Sequence, residues 1–334
     1  MSCDGVRRRG QVREMTTRII GTGSYVPEQI VTNDNLAQIV ETNDEWIRSR
    51  TGIAERRLAI EETTSDMAAK AAKKALEQSG VAPQDIDLIF VATSSADDCF
   101  PSTACQVQAE VGAVNAACYD ISAACTGFVF ALDTAHAFIS AGIYRTALIV
   151  GADVLSKVVD WTDRGTCVLF GDAAGAAVVR ADSTGIIGLN MHSNGEKGHV
   201  LSCTARTNGN FLTGKTPQLG FTTMDGQEVF KFAVKKVPEC VEQLLADTGI
   251  SQEEIKYFVI HQANYRIIES IAKRLKVDLN RFPTNMERYG NTSAASIPLL
   301  LDELNRSGEL KSGDKLIISG FGAGLTWGAT LLEW

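Results

Sequence analysis

No two of the eight cysteines, at 3, 99, 105, 118, 125, 167, 203 and 240, stand at Cys-x-x-Cys spacing. That excludes a disulfide scaffold and the common zinc patterns, and no other metal-ligand spacing occurs. The expected setting is the reducing cytoplasm, with most thiols serving as small apolar side chains. Positive charge is also short: the formal net charge is -8. This excludes a general nucleic-acid binder, and an acidic partner would need a local basic patch. No apolar run approaches the length of a membrane span. A Walker sequence and a Gly-x-Ser-x-Gly elbow are missing, and "GTGSYVP" lacks the spacing of a dinucleotide fingerprint. The basic opening "MSCDGVRRRGQVREM" is followed by no apolar segment, unlike a signal peptide.

What is present suffices for a large core. The 334 residues are 45% hydrophobic and 22% charged, enough for two ordinary domains or one large one. Four segments recur in the same order. "TRIIGTG" at 17–23 echoes "TGIIGLN" at 184–190, and "GVAPQDIDLIFVATSS" from Gly80 echoes "GISQEEIKYFVIHQAN" from Gly249. "RTALIVGAD" echoes "GDKLIISGF", and "GAAVVR" at 175–180 echoes "GATLLE" at 328–333. The pattern implies duplication. We set an extension, expected to be disordered, at 1–16, a first half at 17–183 and a second at 184–334. Met15 followed by "TTRIIGTG" looks like the folded start.

Each half reads as strand, helix, strand, helix, strand, strand, an α/β architecture of mixed sheets covered by helices. "SDMAAKAAKKALEQSG" reads as a helix opened by Ser65 and closed by Gly80. Its counterpart, "QEVFKFAVKKVPECVEQLLADTG", should be kinked by Pro238. The segment after Cys125 is apolar on nearly every side, so it is expected to be a buried helix. Two such helices, one per half, would lie between two sheets.

Cys125 lies as far before Gly142 as Asn291 lies before Gly308, which aligns "ACTGFVF" with "GNTSAAS". Both residues would open the central helix of their half and come close about a pseudo-twofold axis. A thiol at a helix start is stabilised as thiolate by unpaired N–H groups. The alternative is a packed core thiol. His261 ends the strand "IKYFVI", where chemistry gathers in α/β proteins. His136 reads as a satisfied core residue, and His192 and His199 as loop residues. Asn291 is a turn residue or an uncharged donor to a developing oxyanion, and Asn264 can be a plain N-cap. "GFGAGLTWG" at 320–328 reads as a loop between strands. Lys231 and Lys235, with Arg266, Lys273 and Arg274, form a basic patch, either solvated or facing an acidic partner.

The motifs "TNDEWIRSRTGIAERR", "SAACTGF", "TDRGT", "FGDAAGAAV", "HQANYRII", "GNTSAASIP" and "FGAGLTWG" together resemble β-ketoacyl-acyl-carrier-protein synthase III, from about residue 17 to the C-terminus. The resemblance implies a thiolase-like fold of five layers, αβαβα, a homodimer, and no metal or other cofactor beyond coenzyme A (CoA) thioester substrates. It implies Cys125 as nucleophile toward acetyl-CoA, and His261 with Asn291 as donors to the enolate of malonyl-acyl-carrier protein. The backbone N–H groups of Cys125 and Ala323 would form the acyl oxyanion hole. Trp46 and Arg164 would sandwich the CoA adenine, with Arg50 beside them and Asn264 on the pantetheine arm. Leu155, Phe170 and Leu201 would line the acyl pocket, and Phe100 would cap the partner's. Lys231, Arg266, Lys273 and Arg274 would face CoA phosphates and the acidic carrier protein. Some relatives carry glycine where Ala323 stands, so a positive φ there would cost about 1 kcal/mol. Thr222 takes the place of an apolar pocket residue. Rival readings are a related synthase making quinolones or long-chain ketones, an acyl-thioester hydrolase, and a non-catalytic carrier-binding module. Nucleic acid and membrane are not expected partners.

Overall fold

The structure is a computed structural model describing residues 15–204 and 206–334. The expected extension therefore lies outside the described residues except at its end, where Thr16 already begins the first strand. The main elements of the first half are β1 (Thr16–Tyr25), α1 (Asp44–Thr51), α2 (Thr64–Ser79), β2 (Leu88–Ala92), α3 (Thr103–Val111), β3 (Ala117–Ile121), α4 (Gly127–Ser140), β4 (Thr146–Asp153) and β5 (Ala173–Asp182). The second half contributes β6 (Ile186–Ser193), α5 (Gly226–Thr248), β7 (Ile255–Ile260), α6 (Tyr265–Leu275), α7 (Ser296–Arg306), β8 (Lys315–Gly322) and β9 (Thr326–Glu333).

The repeated segments occupy equivalent strands. The first sheet runs β1-β5-β4-β2-β3 and the second β6-β9-β8-β7. In both, each of the first three strands is antiparallel to its neighbour and the fourth is parallel to the third. Such an agreement of order and sense is what duplication produces. Among the described residues β3 has no counterpart strand in the second sheet, so it is an edge strand peculiar to the first half.

Apolar side chains sort these elements into five layers. Ala68, Ala71 and Ala72 of α2 and Val107 of α3 cover the outer face of the first sheet. Val237 and Val241 of α5, with Ile268 and Ile271 of α6, cover the outer face of the second. Phe128, Val129 and Leu132 of α4 and Ile297, Leu300 and Leu301 of α7 fill the space between the sheets. Each such side chain contributes roughly 1.5–3 kcal/mol over an exposed one, so burial on all sides holds the central pair in place. Gly151 on β4 permits the close approach: a Cβ there would stand 2.2 Å from the Ala294 carbonyl ahead of α7.

Local chemistry sets the helix ends. Thr63, not Ser65, caps α2, with a reciprocal pair of bonds to Asp66, and Gly80 closes it at φ +66°. The Thr63 hydroxyl reaches the third N–H of the helix while Ser65 already lies inside it. Helix α5 is capped by Asp225 and continues through buried Pro238 to Thr248. His192 belongs to β6 rather than a loop and stacks on Trp327 at 5.3 Å. The segment 320–328 is mostly strand, with only residues 323–325 turning between β8 and β9. No helix among the described residues is long and apolar enough to cross a membrane.

Candidate active site

Cys125 is the second residue of a short 3-10 turn, Ala124–Thr126, that runs directly into α4. The second half repeats this turn at Ser293–Ala295, ahead of α7. The first residue of each turn has positive φ, +45° at Ala124 and +50° at Ser293. Such a backbone costs on the order of 1–3 kcal/mol for a non-glycine residue and collects at functional sites. The turns correct the alignment read from sequence: the structural equivalent of Cys125 is Ala294, three residues after Asn291. The equal spacing to Gly142 and Gly308 misleads because α7, with 11 residues, is one turn shorter than the 14-residue α4. Asn291 therefore precedes the central helix instead of opening it.

The three polar groups nevertheless line one cavity of about 530 Å³. His261 follows β7, its N–H donating to the Ser319 carbonyl at 2.9 Å, so the strand ladder itself fixes its position. Asn291 is tied to the segment before β5 by two backbone bonds, its N–H to Leu169 at 2.8 Å and its carbonyl from the Gly171 N–H at 3.0 Å. The Asn291 Oδ1 accepts from the Ser293 N–H at 2.9 Å, which leaves the donor end of the amide for the cavity. Gly322 on β8 makes room for the nucleophile's turn, since a Cβ there would stand 3.0 Å from the Cys125 Cβ and N.

Electrostatics depart from the expectation for a helix start. Burial pushes the Cys125 thiol up to about 12, against a smaller lowering by a Ser293 hydrogen bond, and the nearby Asp153 adds to the rise. Desolvation here outweighs the helix dipole, so the resting sulfur is a thiol. Burial also drives His261 down to about 3, making it a neutral imidazole. Its Nδ1 meets the Ser296 hydroxyl at 2.7 Å. When the Ser296 hydroxyl donates to Nδ1, the ring proton sits on Nε2. His261 and Asn291 are thus two uncharged donors beside one sulfur.

Beneath the sulfur lies a polar support that the sequence reading missed. Asp153, fully buried at the end of β4, accepts from the Ser94 N–H at 2.8 Å, the Ser95 hydroxyl at 2.8 Å and the Thr93 hydroxyl at 3.1 Å. The Ala294 N–H of the second turn reaches the Asp153 carboxylate at 3.4 Å. Burial raises the Asp153 carboxyl. The available signal was the end of a buried strand, the position that also singled out His261.

Of the other residues named from sequence, Leu155, Phe170, Leu201, Asn264 and Ala323 line the same cavity. Thr222 does too. Ala323 is not among the residues with positive φ, so alanine carries no backbone penalty there. Among the described residues, neither the Cys125 nor the Ala323 N–H is taken by a loop carbonyl. Trp46, Arg50 and Arg164 stand apart as a separate cluster, the Arg164 guanidinium 4.9 Å and that of Arg50 6.0 Å from the Trp46 ring. Arg164 and Trp46 are in contact, so an adenine between them would have to replace that contact. Asn264 caps α6 through the Arg266 N–H and donates to the Arg50 carbonyl at 3.0 Å, linking the cavity to that cluster. Phe100 lies outside the cavity and is 87% exposed. In the basic patch, Lys231 pairs with Glu228 and Arg274 with Glu239, whereas Arg266 and Lys273 are exposed on α6.

Comparison with known proteins bears on the same segments. Residues 119–195 match the family model 3-oxoacyl-[acyl-carrier-protein (ACP)] synthase III, and residues 245–334 match the model of its C-terminal part. A beta-ketoacyl-[acyl-carrier-protein] synthase III of Clostridium acetobutylicum is 54% identical over 96% of this chain and 99% of its own. The crystal structure of 3-oxoacyl-[acyl-carrier-protein] synthase III from Aquifex aeolicus superposes with a TM-score of 0.89 at 44% identity, covering 95% of this chain and 100% of that one. The priming β-ketosynthase of the R1128 polyketide pathway also superposes at 0.89, with 35% identity and 98% of both chains covered.

Proposed function

The chain belongs to the 3-oxoacyl-[acyl-carrier-protein] synthase III family, and from that premise we propose how its own residues start a fatty-acid chain. It is an acyltransferase, the initiating condensing enzyme of fatty-acid synthesis. In the first half-reaction the Cys125 sulfur attacks the thioester carbon of acetyl-CoA. The tetrahedral oxyanion is held by the N–H groups of Cys125 and Ala323. The carbon–sulfur bond to CoA breaks, and the thiol proton ends on the departing CoA sulfur. Covalent capture splits one acyl transfer into two easier steps.

In the second, malonyl-acyl-carrier protein loses carbon dioxide, and the electron pair of the broken bond becomes an enolate. His261 Nε2–H and the Asn291 amide donate to its oxygen. Both are neutral, so neither repels nor traps the anionic malonyl group on entry. The enolate carbon attacks the acyl-cysteine, acetoacetyl-acyl-carrier protein leaves, and the sulfur regains a proton. The residue chemistry calls for no cofactor beyond the CoA thioester.

The observation that supports this reading most is one cavity holding Cys125, His261 and Asn291 between the apolar walls Leu155, Phe170 and Leu201. We assign the CoA adenine to the Trp46–Arg164 contact with Arg50 beside it, and the pantetheine arm to Asn264. The carrier protein docks on α6 through Arg266 and Lys273, with Lys231 and Arg274 at its margin. The working form is a cytoplasmic homodimer, in keeping with an exposed Phe100 and the open edge of β3. Incubation with acetyl-CoA and malonyl-acyl-carrier protein should yield acetoacetyl-acyl-carrier protein and carbon dioxide in equal amounts. Acetate release without malonyl consumption would make the protein a hydrolase, and absence of both products a binding module.

A further inference from the structure

The condensation chemistry leaves one pair of reactive atoms unused. Cys105 on α3 and Cys118 on β3 point at each other across the outer face of the first sheet, their sulfurs 3.2 Å apart. A disulfide bond is about 2.0 Å long, so about 1 Å of approach separates this contact from a covalent one. The two elements are already pinned beside the thiols. The Asp120 carboxylate, two residues after Cys118, accepts from the Thr103 N–H at 2.8 Å and the Ala104 N–H at 2.7 Å. The thiols are therefore held together and do not meet by chance. In the single chain both are half-buried and not sealed in the core. The other described cysteines have different surroundings: Cys240 meets Asn190, Cys203 the Gly220 carbonyl and Cys125 the cavity, while Cys99 is exposed and Cys167 buried.

We infer that Cys105 and Cys118 form a reversible dithiol–disulfide site, oxidised by a small peroxide and reopened by a dithiol reductant. The Cys105 thiolate attacks one peroxide oxygen, the O–O bond breaks, and hydroxide leaves, giving a sulfenic acid. Cys118 then attacks that sulfur, the S–O bond breaks, and the oxygen departs as water with the Cys118 proton. Two thiols and one hydrogen peroxide become one disulfide and two waters, with two electrons passing from the sulfurs to the peroxide. Burial pushes the Cys118 thiol up to about 12, with its hydrogen bond to Cys105 the next cause, and the step balances equally with the two sulfurs exchanged. The cross-link joins α3, which follows the segment bearing Phe100, to β3, which feeds the turn of Cys125.

The test uses the full-length protein and hydrogen peroxide. After exposure, remaining thiols are alkylated and the chain is cut after Glu and Asp, which places Cys105 on 99–110 and Cys118 on 111–120. The expected result is a linked pair of these peptides, two hydrogen masses lighter than their sum with Cys99 alkylated, and separated by a reductant. Cys105→Ser should abolish the link while the exposed Cys203 still oxidises; the wild-type peptide map does not depend on that variant folding. Complete alkylation of Cys105 and Cys118 when the exposed Cys203 is already oxidised would overturn the inference. So would a link that survives in Cys105→Ser, which would implicate Cys99, or one that joins two chains.

Discussion

Asp133, in the middle of α4, should make this protein less stable as the pH rises through neutrality. Its Oδ1 accepts from the Thr330 hydroxyl at 2.7 Å, and its Oδ2 is buried with no partner. Burial pushes the carboxyl up to about 8, with the Thr330 bond opposing. In the unfolded chain an aspartate titrates near 3.9. The folded state therefore holds a proton that the unfolded state has released, and stability falls as pH increases between the two values. The stabilising share is complete below about pH 4 and gone above about pH 8, at about 1.4 kcal/mol per pH unit. Between about pH 5 and pH 7 the wild type should lose about 3 kcal/mol from this group alone. Cys240 on α5 is the neighbouring titratable group, but burial and Asp133 push it up to about 12, so it stays neutral throughout. Asp133→Asn keeps the acceptor for Thr330 and removes the titration. Urea unfolding of both proteins across that pH range should show the variant gaining steadily on the wild type. Parallel curves would refute the reasoning, because they would mean that Asp133 is not protonated in the fold.

Asn291→Ala should slow decarboxylation by about 10²-fold while CoA release in the acylation step changes little, measured as separate half-reactions; equal losses would remove the enolate role. Since burial holds His261 near 3, the condensation rate should show no inflection between about pH 5 and pH 8, where a histidine with its ordinary value of about 6.5 would give one. Ser296→Ala frees Nδ1 to take the proton and should lower condensation several-fold with its thermal midpoint nearly kept. Restoration by Ser296→Thr would separate hydrogen bonding from packing. Reversing charge at Arg266 or Lys273 should raise the carrier-protein concentration needed for half-maximal rate, most at low salt; an unchanged requirement would make α6 a merely solvated face.

The duplication was legible because each repeated segment is a buried strand, where apolar pattern and glycine positions are constrained along the chain. His261 could be picked out for a related reason, since it directly follows such a strand. Cys125 was found through its place before an all-round apolar helix, yet its ionisation was misjudged. Helix position is written in neighbouring residues, whereas desolvation depends on walls supplied by β8 and the second half. Asp153 and the turn at Ser293–Ala295 were missed on the same ground: the Ala294 N–H meets Asp153 only when 140 or so intervening residues have folded, at a pairing distance no local pattern encodes. The three-residue offset between Cys125 and Asn291 escaped because glycine spacing marks helix ends and not helix lengths. The contact of Cys105 with Cys118 likewise depends on α3 folding back over β3.

The most direct test of the account is the mass of the intact protein after acetyl-CoA, followed by addition of malonyl-acyl-carrier protein. One acetyl group should appear on Cys125, fail to form in Cys125→Ala, and vanish from the wild type as acetoacetyl-acyl-carrier protein is made. An acetyl group on another residue, or one on Cys125 that malonyl-acyl-carrier protein leaves in place, would contradict it.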